Sequence, residues 1–265
     1  MNERIELALW TACSVLLWII GVQLAWWSAH SPQSWLGRFR TGWSGNPIGR
    51  GFVFLVRFAY YVGLPYAALL RHTLSLVVIG LLGAETAELP WWTLGWKLTD
   101  WAGALGWITG LGGIAAVALV LGWWNVHHAV QALAGESRTL ASSDLMPAPS
   151  ILIVGRESIF EEIHWAFYRA VPLVFIADPY WATLAGTSLV LVEWMLNPAW
   201  WEGIRDGVGR KAQLMQIAWL MLSSAAFVMT HNVWVALLLH TLLAWAVSRW
   251  VAVLALKQMP VVSDQ

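Results

Sequence analysis

The run from Glu157 to Arg169 brings three carboxylates, a histidine and an arginine together in an otherwise strongly apolar chain. It reads ESIFEEIHWAFYR and includes Glu161, Glu162 and His164. A carboxylate in a low-dielectric cavity can deprotonate a water molecule, and a histidine beside it can orient that water or act as an acid. The run therefore indicates hydrolytic or ion-handling chemistry. The alternative is that these charges pair with one another and hold helices together.

A helix over 156–170 would place these ionisable side chains on one face, because successive residues of an α-helix turn by about 100°. The polar groups would fill an arc of about 160°. Glu162 and Arg169 are seven residues apart, or two turns, and could share one polar cavity. The opposite face would meet lipid and consists of Ile159, Ile163, Ala166 and Ala170.

The composition is that of a membrane protein. The 265 residues are 59% hydrophobic and 11% charged, with a mean hydropathy of +0.62. Segments 7–29, 101–124 and 213–230 carry no charged residue, and each is long enough, or nearly so, to cross about 30 Å of hydrocarbon. The 22 tryptophans, many at segment ends, fit interfacial belts. A net charge of zero gives no support for nucleic acid as a partner.

We therefore predict an all-α, polytopic transmembrane helix bundle of about seven spans. The spans lie at about 7–29, 51–70, 101–124, 151–176, 181–199, 213–230 and 232–256. Three basic stretches then fall on one side: 30–50, 200–212 and Lys257. The positive-inside rule makes that side cytoplasmic, which leaves the N-terminus outside and the C-terminus in the cytoplasm. We divide the chain into N-terminal membrane helices with a cytoplasmic loop (1–150) and core helices that carry the polar site (151–265).

Three ionisable residues elsewhere, in or close to the apolar spans, bear on the site. Arg57, in the second span, should pair with an acid, and Glu193 on the fifth span is a candidate partner. His231, close to a span end, is expected at the membrane interface. The chain has one cysteine, Cys13, so neither an intramolecular disulfide nor a cysteine-based metal cluster is possible.

Three stretches between 155 and 245 resemble one known family. They are the pair Glu161-Glu162, the ending Phe167-Tyr168-Arg169-Ala170, and the segment VWVALLLHTLLAWAV that contains His240. Together they resemble the CAAX-prenyl-protease-like intramembrane proteases, also called the CPBP or Abi family. The family's pattern is a Glu-Glu-x-x-x-Arg helix, then a Phe-x-x-x-His helix, then a His-x-x-x-Asn helix.

The chain departs from this pattern in each helix. Arg169 follows the glutamate pair by seven residues where the family's pattern has four. The second motif has two candidates: His231, which ends a Phe-x-x-x-His sequence, and Asn197, which would replace the histidine on the fifth span. In the third motif, Ala244 stands where asparagine is expected. A divergent member, active or inactive, is therefore expected.

The resemblance implies a membrane-embedded peptidase. Glu161 and Glu162 would activate water, His240 would orient it or bind a metal, and Arg169 would tune the glutamates or hold the helix. Asn197 would stabilise the oxyanion with a hydrogen bond. A divalent metal such as zinc would have Glu162 and His240 as ligands.

The resemblance also implies a cellular location and a kind of substrate or partner, and two alternative functions remain. We expect an integral protein of a bacterial or archaeal cell membrane, with a membrane protein as substrate or partner. The main alternative is a non-catalytic membrane scaffold or accessory subunit with the same fold. A proton- or ion-coupled transporter is the third hypothesis, although we find no inverted repeat of the kind that transporters use.

Overall fold

A computed structural model describes residues 3–71, 75–83, 94–133 and 149–257 of the chain. Within these ranges all regular secondary structure is helical, without a β-strand. Its elements in order are α1 (Glu3–His30), α2 (Trp35–Ser44), α3 (Pro47–Phe58), a π-helical segment (Ala59–Gly63), α4 (Leu64–Leu70), α5 (Leu76–Ile79), α6 (Leu98–Leu133), α7 (Ile151–Leu173), α8 (Pro179–Met195), α9 (Pro198–Arg205), α10 (Gly207–Thr230) and α11 (Val233–Lys257).

Five helical segments are long and apolar enough to cross a membrane. They are Arg4–His30, Pro47–Leu70, Leu98–Gly122, Gly209–Thr230 and Val233–Trp250. The all-α class is thereby confirmed for the described residues, and the five candidate spans indicate an integral membrane protein. The other two predicted spans correspond to α7, which carries the charged run, and α8, which has 17 residues. The count of seven spans stays a prediction.

The break between the last two helices falls where the sequence indicated it. Helix α10 ends at Thr230, and His231 adopts a left-handed conformation with φ of 51°. The Asn232 side chain accepts hydrogen bonds from the backbone N–H groups of Trp234 (2.9 Å) and Val235 (3.3 Å). Asparagine is a favoured N-cap, so α11 begins directly after it and returns alongside α10.

Helix α7 lies at the centre of the bundle and packs against α8 and α11 through a largely buried core, and its Glu162 and Arg169 side chains reach Ser223 on α10. Gly186 on α8 permits the closest approach, because a Cβ atom there would lie 2.6 Å from the Cα atom of Arg169. The predicted lipid-facing side of α7 is wrong for most of its length. Of the four residues predicted to face lipid, Ala166 and Ala170 are fully buried, and only Ile159 remains well exposed. Helical periodicity finds a polar face, but it does not say how many neighbours surround the helix.

Two of the predicted basic loops lie at the same end of the bundle. Glu202 on α9 accepts a hydrogen bond from the indole of Trp26 (2.7 Å) and lies 3.2 Å from the His30 ring, so the end of α1 contacts α9. Segments 30–50 and 200–212 therefore meet here, and we call this the basic end. The turn between α10 and α11 lies at the opposite end, where it contacts α5: Val233 donates to the Gly80 carbonyl (3.0 Å).

Candidate functional site

Glu162 is the centre of a buried polar cluster, which we call the Glu162 cluster. Its Oε1 atom lies 3.1 Å from Nδ1 of His240, and its Oε2 atom lies 3.0 Å from Nη2 of Arg169. The Ser223 hydroxyl donates to the same Oε2 atom at 2.7 Å. Glu162, Arg169, Ser223 and His240 are each at most 3% exposed. The predicted shared cavity of Glu162 and Arg169 is therefore a direct ion pair.

Glu161 joins the cluster from its more open side. Its Oε2 atom is 3.5 Å from Nε2 of His240, and its side chain is 28% exposed. The two ring nitrogens of His240 thus face two different carboxylates, one buried and one accessible. The histidine is held in place by stacking, because the rings of Trp165 and Trp219 lie 5.3 and 5.9 Å from it.

Three helices, α7, α10 and α11, place the side chains of the Glu162 cluster at about the same distance from the turn between α10 and α11. Ser223 precedes the end of α10 by seven residues, and His240 follows the start of α11 by seven. At about 1.5 Å per residue, both lie roughly 10 Å from the turn that joins the two helices. Arg169 reaches across to this pair: its Nη1 atom donates to Ser223 at 2.7 Å, and its guanidinium lies 4.9 Å from the ring centre of Phe227.

A second buried cluster surrounds Glu193 on α8, and we call it the Glu193 cluster. Its Oε2 atom lies 2.9 Å from Nε2 of His164, while Oε1 accepts hydrogen bonds from the hydroxyls of Tyr60 (2.8 Å) and Tyr168. Tyr60 belongs to the π-helical segment, a distortion that is frequent at functional sites. Sequence reasoning missed this cluster. The only signal was an isolated acid in an apolar span.

The predicted pairing of Arg57 with Glu193 was wrong, because Glu193 belongs to this buried cluster. Arg57 pairs with Glu157 at 2.6 Å, and Glu193 is engaged elsewhere. The Arg57–Glu157 pair is partly exposed, which suits two groups that keep contact with water.

Neither candidate for the second motif reaches the Glu162 cluster. Asn197 lies beyond the end of α8, where its side chain accepts the Ala199 N–H at 3.1 Å and caps α9. His231 is exposed at the turn that follows α10. The predicted oxyanion role of Asn197 is therefore not supported by its placement, because an Asn-Pro pair at a helix start is a capping signal. Ala244, one turn after His240, packs in the apolar core.

The donor set of the Glu162 cluster does not fit a resident zinc ion. A zinc site in a protein usually has at least three His, Cys, Asp or Glu ligands. Among the described residues, no group of three or more such side chains is arranged to hold a metal. Both oxygens of Glu162 already accept hydrogen bonds, and the Arg169 cation lies against one of them. We therefore assign no metal-dependent step to Glu162 and His240.

Comparison with known proteins gives no relative. No protein-family model, curated protein or solved structure matches the chain. The geometry of the two clusters and the residues that carry the resemblance are therefore the indications of function.

Proposed function

We propose that the chain is a membrane-embedded peptidase in which Glu161 and His240 activate water and Glu162 orients the histidine. The observation that carries this proposal is the convergence of both glutamates on one imidazole ring, at 3.1 and 3.5 Å. A histidine with one nitrogen on a buried carboxylate and the other on a reacting group is the arrangement used in hydrolytic triads.

The two glutamates differ in environment, and this difference supports different roles. Glu162 is buried and accepts hydrogen bonds from three side chains, so it is suited to fixing the His240 ring and stabilising its protonated form. Glu161 is more exposed and is suited to contact with water. In the proposed step, Glu161 removes a proton from water as the water oxygen attacks the substrate carbonyl carbon. His240 Nε2 then relays that proton to the departing amine.

The proposed site lies at membrane depth. We take α7 and α8 as two further membrane-crossing helices, so that the bundle has about seven spans. Helix α7 can then carry its charges because α8 and α11 pack against it and Ser223 of α10 binds Glu162 and Arg169. With the basic end in the cytoplasm, the N-terminus is outside. This assignment makes the chain a divergent, metal-independent relative of the CAAX-prenyl-protease-like family that acts on membrane proteins.

The test compares matched variants without assuming a substrate. Membranes from cells that express wild type, Glu161→Gln or Glu157→Gln are examined for new protein N-termini by mass spectrometry. Glu157 is the control because it lies one turn away on α7 and pairs with Arg57 and Arg156. We expect the new termini with wild type and Glu157→Gln and their loss with Glu161→Gln, a decrease of at least about 100-fold. The same termini with Glu161→Gln would contradict the proposal.

A non-catalytic scaffold is the second candidate, and one observation favours it. Glu162 accepts hydrogen bonds from three side chains, and His240 stacks on two tryptophans; contacts of this kind would also hold α7, α10 and α11 together without any catalysis. On this account Glu162→Gln and His240→Ala lower the stability of the bundle, and no new N-terminus depends on Glu161. Equal sets of termini in cells with and without the wild-type protein would favour the scaffold.

A further inference from the structure

A cavity of about 760 Å³ opens at the basic end of the bundle, away from both buried clusters. It is enclosed by the C-terminal part of α1, by α2, by the first turns of α3 and by the start of α9. Its size falls within the range of small-molecule sites. Nothing in the proposed peptidase chemistry makes use of it.

One wall of this cavity is apolar. Val22, Ala25 and Ala29 line it from one face of α1, over about 10 Å at 1.5 Å per residue. Phe52 and Val53 face them from α3. The apolar wall thus runs from inside the membrane towards the interface.

Two arginines also line the cavity. They are Arg40 on α2 and Arg50 on α3. Neither arginine has an ion-pair partner among the residues that the structure describes. The carboxylate in the lining, Glu202, is engaged by Trp26 and His30. Two cations that lack carboxylate partners therefore stand where a membrane headgroup would lie.

Helix α2 is fixed as part of this site. Ser34 caps it by accepting the Gly37 N–H at 3.1 Å, and Trp43 stacks on Phe39 at 4.5 Å. At Gly49, a Cβ atom would collide with the Trp43 backbone, so a glycine is needed for α2 to pack on the start of α3. Short helices with aromatic and basic residues of this kind lie in the membrane interface.

We propose that this cavity binds one anionic phospholipid, with its phosphate between Arg40 and Arg50 and an acyl chain along the α1 wall. Basic pockets between membrane helices on the cytoplasmic side bind anionic headgroups, and charge complementarity selects them over zwitterionic lipids. The site holds the end of α1 and helix α2 against α3 and α9. This inference does not depend on the peptidase proposal.

The test measures lipid retention by native mass spectrometry. Wild-type protein is reconstituted in equal phosphatidylglycerol and phosphatidylcholine, and the ratio of the two lipids that stay bound is determined. We expect enrichment of phosphatidylglycerol, which Arg40→Gln and Arg50→Gln each reduce by roughly fivefold. Arg38→Gln is the matched control, because Arg38 lies on α2 and is exposed but does not line the cavity. It should change the ratio by less than about twofold.

Two further experiments distinguish binding of a lipid from binding of a free anion. Ala25→Phe fills the acyl-chain wall without changing charge, so it should abolish phosphatidylglycerol enrichment, whereas inorganic phosphate added at excess should not displace the lipid. Equal retention of the two lipids by wild type would overturn the proposal. So would an equal loss with Arg38→Gln, displacement by phosphate, or unchanged enrichment with Ala25→Phe. Unfolding midpoints of all variants are measured in parallel to establish that each is folded.

Discussion

Arg169 and Glu162, two turns apart on α7, form an ion pair of 3.0 Å with each side chain 1% exposed. Removing one member of a buried pair strands the other charge, whereas an exposed pair contributes little. Arg169→Gln should therefore lower the free energy of unfolding by about 3–5 kcal/mol. Arg57→Gln, which breaks the half-exposed pair with Glu157, should cost less than about 1 kcal/mol.

Denaturant titration of the two variants in mixed micelles measures this difference. Equal midpoints for Arg169→Gln and Arg57→Gln would show that the Glu162 cluster is not closed to water as described. A larger loss with Arg57→Gln would contradict the partial exposure of the Arg57–Glu157 pair.

The contact between α7 and α8 at Gly186 leads to a second prediction. A methyl group there would meet the α7 backbone, which cannot move as a side chain can, so Gly186→Ala should destabilise the bundle by about 1–3 kcal/mol. Gly113→Ala is the control, since nothing lies within 4 Å of a Cβ atom at that position. Alanine is the better helix former, so this control should be neutral or slightly stabilising. Thermal unfolding of both variants checks the pair, and a stable Gly186→Ala protein would refute the close packing.

The capping role of Asn197 is tested by separating stability from activity. Asn197→Ala should cost about 0.5–2 kcal/mol through the loss of the α9 cap, while Asn197→Asp should keep the cap. Both variants should leave the set of new N-termini unchanged. Loss of those termini with a normal unfolding midpoint would instead restore Asn197 to the catalytic site.

Removing Glu193, the shared acceptor of its cluster, should destabilise the protein more than removing one of the donors that bind it. Tyr60→Phe removes one donor and leaves Glu193 with His164 and Tyr168, so a loss of about 0.5–1.5 kcal/mol is expected. Glu193→Leu removes the shared acceptor and leaves the buried His164 and Tyr168 and the partly buried Tyr60 without it. Its loss should exceed that of Tyr60→Phe at least twofold in the same denaturant titration. Equal losses would show that Glu193 is not the centre of the cluster.

The sequence was sufficient to predict contacts within one helix and candidate site residues within one motif. The spacing of Glu162 and Arg169 predicted a shared cavity because two turns of α-helix return a side chain to nearly the same face. The paired glutamates were recognised as candidates from their residue types and His240 from the resemblance, and they lie together.

The rest required the relative positions of separate helices. Glu193 and His164 are 29 residues apart on different helices, and no local pattern connects them. For Arg57, two acids were available, and the correct one is fixed by the packing of α3 and the π-helical segment against α7. At Asn197, the motif comparison outweighed the local capping signal of the following proline.

The most direct test of the central claim uses purified protein in liposomes and a peptide that spans a cleavage site found in the membrane experiment. The cleavage rates of wild type, Glu161→Gln and Glu157→Gln are compared at matched unfolding midpoints. The account predicts that Glu161→Gln loses at least about 100-fold in rate and that Glu157→Gln stays within about threefold of wild type. Full activity in Glu161→Gln, or an equal loss in Glu157→Gln, would contradict it.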